Sequence, residues 1–355
     1  MEFSAILSDL PSGLSRERVR DATTQILLGT VPDVQIGAFL FGLRAKGESS
    51  EEIEGIIDSL KSQIVPLDIP GPVLDIVGTG GDRTGAINVS TPASIVARAA
   101  GHVTVVKHGN RGASTPTGSA DLLEAIGIPL NLTPAAVAEV AKRTGLAFCF
   151  AQQFQPALKN MAVARRALQA PTIINLLAPL LNPASPRYQL VGVADRSRMS
   201  IVADILQRRG TTAIVARGID GLDKFTVTAA TEFTIIHGAA RINGTLEPRD
   251  IGYGSASMAD IKGSTPNENA RVVLAALHGA RGPISDVIIL NAAVALLVSE
   301  EAFYDDFNRQ LRERIVRCQD AIASGSVGRL LHRWSQICLE YSHGNNEAVL
   351  PQLVE

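Results

Sequence analysis

The stretch Asp75-Ile-Val-Gly-Thr-Gly-Gly-Asp82 is an apolar run that ends in glycines, and it is where the chain first suggests a ligand. Gly78, Gly80 and Gly81 permit positive φ and a close backbone approach, so that successive N–H groups can point at one anion. A helix expected from Ser90-Thr91-Pro92 would add its unpaired first-turn N–H groups and the positive end of its dipole. Alone, a strand followed by a glycine turn is more often just a turn. The spacing is neither the G-x-G-x-x-G of dinucleotide sites nor the G-x-x-x-x-G-K-[ST] of triphosphatases, which argues against both.

A second stretch, Lys107-His108-Gly109-Asn110-Arg111, is followed by Ser114-Thr115-Pro-Thr-Gly-Ser119. Two cations, an amide and several hydroxyls at a glycine hinge suit a polyanion that also carries sugar hydroxyls. The plain alternative is a solvated polar loop. Both stretches leave apolar runs about thirty residues apart, so a single sheet could bring them together at its carboxyl edge. A histidine inside such a loop, here His108, more readily shapes the loop than serves as a base.

The elements that must position these loops follow from periodicity. Residues 1–65 read as helices only: one opens at Ser15 and carries Val19, Ala22, Ile26 and Leu27, and a second starts at Pro32 with Ile36, Phe39, Leu40 and Leu43. A third has Ser49 and Glu52 as a capping box ahead of Ile53, Ile56, Ile57 and Leu60. This predicts a small helical domain, with prolines 66, 70 and 72 stiffening the way out. From Val73 short β-branched runs (73–77, 104–107, 146–151, 212–216, 231–235) alternate with helical patterns, some opened by Thr133-Pro134 and by Thr265-Pro266 with Glu268. The fold class expected is α/β: a small N-terminal helical domain on a larger α/β domain, residues 72–340, with a mostly parallel or mixed central sheet. The proline-bearing segment 171–186 is expected to rejoin the helical domain, and residues 344–355 to form a loose tail.

Composition limits the partners. Of 355 residues 46% are apolar, and 33 Lys+Arg against 35 Asp+Glu give a net charge of −2. Such a chain has no general field for DNA or RNA, so phosphate binding must be local. Cys149, Cys318 and Cys338 have no metal-site or disulfide spacing, which fits a reducing cytoplasm. Neither a secretory leader nor a membrane span is expected.

Taken together, Gly78-Thr-Gly-Gly-Asp82, Asn88-Val-Ser-Thr91 and Lys107-His-Gly-Asn-Arg111 through Gly118-Ser-Ala-Asp121-Leu-Leu-Glu124 resemble the successive motifs of the anthranilate phosphoribosyltransferase family. Pro156-Ala-Leu-Lys159, Arg165-Arg166, Asn182-Pro183, Gly221-Leu-Asp223, Glu268-Asn-Ala270 and Leu290-Asn-Ala-Ala293 extend the likeness along nearly the whole chain. The resemblance implies the nucleoside phosphorylase and phosphoribosyltransferase class of fold and a homodimer joined through the helical domain. It also implies transfer of phosphoribosyl from phosphoribosyl pyrophosphate to anthranilate with Mg²⁺, in tryptophan biosynthesis. On matching positions, Gly78, Gly81, Asp82, Asn88, Ser90, Thr91, Lys107, Asn110, Arg111, Ser114 and Ser119 would surround the donor, and Lys224, which departs from the family pattern, is expected beside them at the pyrophosphate. Ser90 and Asp223 would hold metal, Lys107 and Asp223 would be catalytic, and Gly78, Asn110 and Arg165 would receive the acceptor.

Departures from the family pattern are concentrated in two places. Its metal-binding Asp-Glu pair is here Asp223-Lys224, so Lys224 either replaces a cation at the pyrophosphate or faces solvent. Around the acceptor, Gln155 stands for a histidine, Gln152 for a proline, Val163-Ala164 for Pro-Val and Ala178 for a glycine, while Ala86 replaces a threonine near the pyrophosphate. A changed aromatic amine or aminobenzoate is therefore the alternative acceptor. A non-enzymatic nucleic-acid-binding relative would need a basic groove and stacking aromatics, which a slightly acidic chain with 4% aromatic residues does not offer. Nucleoside phosphorolysis is disfavoured by the full motif set.

Overall fold

The computed structural model describes residues 2–112, 117–170, 172–254 and 256–342. Helices open the chain: α1 (Phe3–Asp9), α2 (Arg16–Leu27), α3 (Asp33–Lys46) and α4 (Ser50–Lys61). The Ser15 side chain accepts the Arg18 N–H, and Ser49 with Glu52 forms the reciprocal capping box. Helices α2, α3 and α4 bury the stripes their spacing predicts, α1 is an addition to them, and α2 packs along α4.

The α/β part follows in the order β1 (Val73–Gly78), α5 (Ser90–Ala100), β2 (Thr104–Gly109), α6 (Ser119–Ala125), α7 (Pro134–Thr144), β3 (Leu146–Phe150) and α8 (Ala151–Phe154). Next come α9 (Ala162–Leu168), α10 (Ile173–Leu177), β4 (Tyr188–Gly192), α11 (Met199–Arg208), β5 (Thr212–Gly218), β6 (Thr231–His237) and β7 (Ala240–Leu246). Helices α12 (Pro266–Leu277), α13 (Pro283–Ser299), α14 (Phe307–Ala323) and α15 (Ser326–Ser342) complete the described chain. The seven strands form one mixed sheet in the order β3-β2-β1-β4-β5-β6-β7, parallel from β3 to β5 and antiparallel thereafter. Strands β4 and β7 are additions to those read from the sequence.

The sheet divides two cores. Leu74, Ile76, Val105, Leu190 and Ile214 face a cluster built with α5, α7 and the C-terminal helices, among them the almost wholly buried α13. Val77, Val191, Val193, Val215 and Ile236 face the other cluster, which they share with α2, α3, α4, α10 and α11. The N-terminal helices join this cluster chiefly through other helices, α4 through α11 and α3 through α9 and α10. Helices α9 and α10 also pack on α3, so the end of α9 and the glycine loop after β1 share one cleft.

Candidate active site

Strand order reverses between β1 and β4: the chain moves from β1 to β2 on one side and returns after β3 to the other. Crevices form at the carboxyl ends of strands at such switch points. Here Gly78 and Gly192, the last residues of β1 and β4, lie in register, and Asp223 crosses directly above both. A Cβ on Gly78 would stand 2.2 Å from Asp223 Oδ2, and one on Gly192 only 1.5 Å from the Asp223 carbonyl oxygen. Gly78 is needed for that approach and does not adopt positive φ, whereas Gly80 (+67°) and Gly81 (+77°) do. The positive φ expected of Gly78 is therefore not found, and close approach alone accounts for that glycine.

This crossing is fixed at both ends. Asp223 Oδ2 accepts the Gly80 N–H at 2.7 Å. Asn291 of α13 takes Phe225 by two hydrogen bonds, its Oδ1 accepting the Phe225 N–H and its Nδ2 donating to the Phe225 carbonyl. Lys224 does not face solvent: its Nζ donates to Asp223 Oδ1 at 2.6 Å and to Asp82 Oδ2 at 2.9 Å. Burial works against the Lys224 ammonium, but the Asp223 and Asp82 charges outweigh it and raise its pKa. Thr84 donates its N–H and hydroxyl to Asp82 Oδ1.

One strand away, Lys107 is 3% exposed and donates to the Ile76 carbonyl at 2.7 Å. Burial lowers its pKa to about 8, with Asp75 and Asp223 pulling the other way. Asp75, fully enclosed beneath the loop, accepts from Asn182 Nδ2 and the His108 N–H, and burial raises it to about 6. His108 Nδ1 lies 3.0 Å from the Ala178 carbonyl, which can only accept, so that nitrogen carries the proton. Its Nε2 then accepts from Gln155 Nε2 at 3.2 Å, while Gln155 also donates to the Leu181 carbonyl. Burial drops the His108 pKa to about 4. With both ring nitrogens engaged, His108 is a neutral support of the wall and not a base.

The remaining polar residues brace the loops around the opening. Asn88 donates to the Thr117 carbonyl and accepts from Asn269 of α12. Asp121 Oδ2 accepts the N–H groups of Gly112 and Gly118. Arg111 turns back onto Asp121 and Glu124, its guanidinium over the Phe150 ring, so its charge is already matched. Ser90 and Ser119 are the first residues of α5 and α6, and no side chain caps α5.

One cavity collects Gly78, Gly81, Asp82, Asn88, Ser90, Lys107, Asn110, Arg111, Ser119, Asp223, Lys224 and, from α9, Arg165. Thr91 is not on its wall: it is 1% exposed and its hydroxyl has no partner among the described residues. Ser114 lies outside the described residues, as does the tail 344–355. The same cavity is lined by Leu158, Ile174, Leu177 and Leu181 with Asn175 and Gln155. There Arg165 is partly buried and, among the described residues, has no hydrogen bond or ion pair; burial lowers its pKa. Asn175 and Asn291 were not singled out from sequence as site residues, although Asn291 sat in a quoted motif.

For Mg²⁺ the available protein oxygens are the Asp82 and Asp223 carboxylates and the Ser90 hydroxyl. No group of three or more metal-ligating His, Cys, Asp or Glu occurs among the described residues. This set fits a magnesium ion held mainly by substrate phosphates with one or two protein oxygens, the usual manner of that ion.

Comparison with known proteins defines the class first: residues 70–327 match the a/b domain of a glycosyl transferase family and residues 11–63 its helical bundle domain. The anthranilate phosphoribosyltransferase of a Nocardioides species is 41% identical over 91% of this chain and 94% of that protein. The crystal structure of the Thermus thermophilus enzyme of that name is 33% identical, with a TM-score of 0.85 over 94% of this chain and 99% of its own. The Saccharomyces cerevisiae enzyme in complex with phosphoribosyl pyrophosphate and Mg is 25% identical, with a TM-score of 0.87 over 95% and 98%. The chain belongs to the anthranilate phosphoribosyltransferase family.

Proposed function

We propose that this chain transfers phosphoribosyl from phosphoribosyl pyrophosphate to the amino group of anthranilate, releasing pyrophosphate, as a step of tryptophan biosynthesis. The observation that carries the reading is a single cavity that joins two kinds of lining. The glycine loop with Lys107 and Lys224 supplies one, and Arg165, which has no partner among the described residues, supplies the other together with aliphatic side chains.

In the reaction the amine nitrogen forms a bond to the anomeric carbon as the bond from that carbon to the pyrophosphate oxygen breaks. The amine proton then leaves, to solvent or to the departing pyrophosphate. Negative charge grows on the leaving group, so donors fixed in advance at that end lower the barrier most. Lys107, Lys224 and the N–H groups of the glycine loop are such donors. Magnesium, when bound on the diphosphate near Ser90 and Asp223, supplies further positive charge to the leaving oxygens. Arg165 orients the acceptor by its carboxylate, and the aliphatic wall holds the ring. No base is required, since an arylamine becomes acidic only after attack; this accords with the engaged nitrogens of His108.

A homodimer through the helical part is supported by Val34 (84% exposed) and Phe41 (53%), seven residues apart on one face of α3. A cytoplasmic location is supported by buried, unpaired Cys149, Cys318 and Cys338. No helix among the described residues is long and apolar enough to cross a membrane. A different aminobenzoate is the second reading, favoured by Gln155 and Ala178 in the acceptor wall. Loss of anthranilate fluorescence with phosphoribosyl pyrophosphate and Mg²⁺, against a panel of aromatic amines, decides between them. Consumption of none of the amines would refute both.

A further inference from the structure

Asp82 and Asp223 are 141 residues apart in sequence, yet their carboxylates share one ammonium. Lys224 Nζ lies 2.9 Å from the first and 2.6 Å from the second, and both acids are 7% exposed. Every carboxylate oxygen of the pair already receives a protein donor: Asp223 from Lys224 and Gly80, Asp82 from Lys224, Thr84 N–H and the Thr84 hydroxyl. Two such acids facing one cleft repel unless a cation stands between them. A divalent ion bridging them would have to occupy the place that Lys224 Nζ fills.

We infer that Lys224 is a tethered cation that closes the Asp82–Asp223 pair, so that the donor loop is assembled without a divalent ion and the site engages a diphosphate with a single divalent ion. In this role Lys224 ties the glycine loop after β1 to the crossing segment 223–225, whose other end Asn291 holds. Around the glycine loop the charges of Lys107 and Lys224 are matched by those of Asp82 and Asp223. The entering diphosphate therefore needs its own counter-charge, a single magnesium ion carried on its oxygens, and Mg²⁺ tolerates that arrangement because it keeps water and phosphate ligands. The inference depends on the proposed phosphoribosyl transfer only for the identity of the ligand.

The test uses Mn²⁺ as a spin probe on the full chain, first alone and then with inorganic pyrophosphate. The unmodified chain and K224R are expected to leave free Mn²⁺ unchanged without pyrophosphate, and to bind one ion per site with it. K224Q and K224E are expected to gain a Mn²⁺ site in the absence of pyrophosphate, seen as a fall in free Mn²⁺, that is lost again when Asp223→Asn is added. A Mn²⁺ site of equal affinity in the unmodified chain and K224Q, or two ions per site with pyrophosphate in the unmodified chain, would overturn the inference. These readings do not depend on turnover. If the Mn²⁺ series behaves as expected while phosphoribosyl pyrophosphate is not taken up, the proposed activity fails and the role of Lys224 stands.

Discussion

Replacing Arg165 by alanine isolates the acceptor end of the cavity. Among the described residues this guanidinium has no hydrogen bond or ion pair, so its removal strands no buried carboxylate and costs the fold little. What disappears is a fork aimed at a bound carboxylate. A hydrogen bond to a charged group is worth about 1.5–3 kcal/mol, which corresponds to roughly a 10–150-fold loss in kcat/KM for anthranilate. The affinity for phosphoribosyl pyrophosphate, read by calorimetry, should stay within about twofold, since an effect confined to one end of the site does not spread to distant, independent contacts. Aniline supplies the control, because it offers the same nucleophile without the carboxylate. Arg165→Ala should leave the slow reaction of aniline unchanged, and Arg165→Lys should recover only part of the loss because an ammonium lacks the planar fork. Equal losses for anthranilate and aniline, or equal losses for donor and acceptor, would show that Arg165 does not read the carboxylate.

Other consequences can be checked separately. Asn291→Ala removes the clamp on Phe225 and leaves a buried N–H and carbonyl unpaired; denaturant unfolding should show a loss of about 2–4 kcal/mol, together with weaker donor binding. Gln155→Leu leaves His108 Nε2 without its donor, which should cost about 1–3 kcal/mol; an unchanged midpoint would mean that His108 is held otherwise. Lys107, depressed to about 8 by burial against the pull of Asp75 and Asp223, sets a pH effect on donor binding. Below pH 8 it is already charged in the free protein, whereas above pH 8 binding must take up a proton, so affinity should fall by up to about tenfold per pH unit. Over the same window the unfolded chain holds the extra proton, so Lys107 makes the free protein more stable as pH rises. Calorimetry in buffers of different ionisation enthalpy would detect the uptake, and its absence at pH 9 would remove Lys107 from the diphosphate.

Local rules carried much of this molecule into the sequence. Ser15, Ser49 with Glu52, Thr133 and Thr265 with Glu268 start helices where expected, because a cap satisfies N–H groups within the same few residues. The strands β1 and β2 and the glycines Gly80 and Gly81 that follow β1 were equally legible, since β-branched runs and positive φ are short-range properties. Strand β7, Ala-Arg-Ile-Asn-Gly-Thr-Leu, escaped because its polar, exposed residues make it a strand only through pairing with β6. Strand β4 follows a proline-bearing stretch and becomes a strand by lying between β1 and β5.

The chemistry of the cleft divides in the same way. Residue types and motif order indicated a phosphate-binding loop, the likeness to a family, and the odd lysine at position 224. They could not say why Gly78 must be glycine, which depends on Asp223 crossing above it from a remote segment. Nor could they decide that Arg111 is spent on Asp121 and Glu124, that Arg165 has no partner among the described residues, or that Lys224 joins Asp82 to Asp223. Which charges meet is set by packing between distant segments, and electrostatic energies change over a few ångströms. Sequence therefore determined the inventory of charged and polar groups, and tertiary structure decided which of them remain free to meet a ligand.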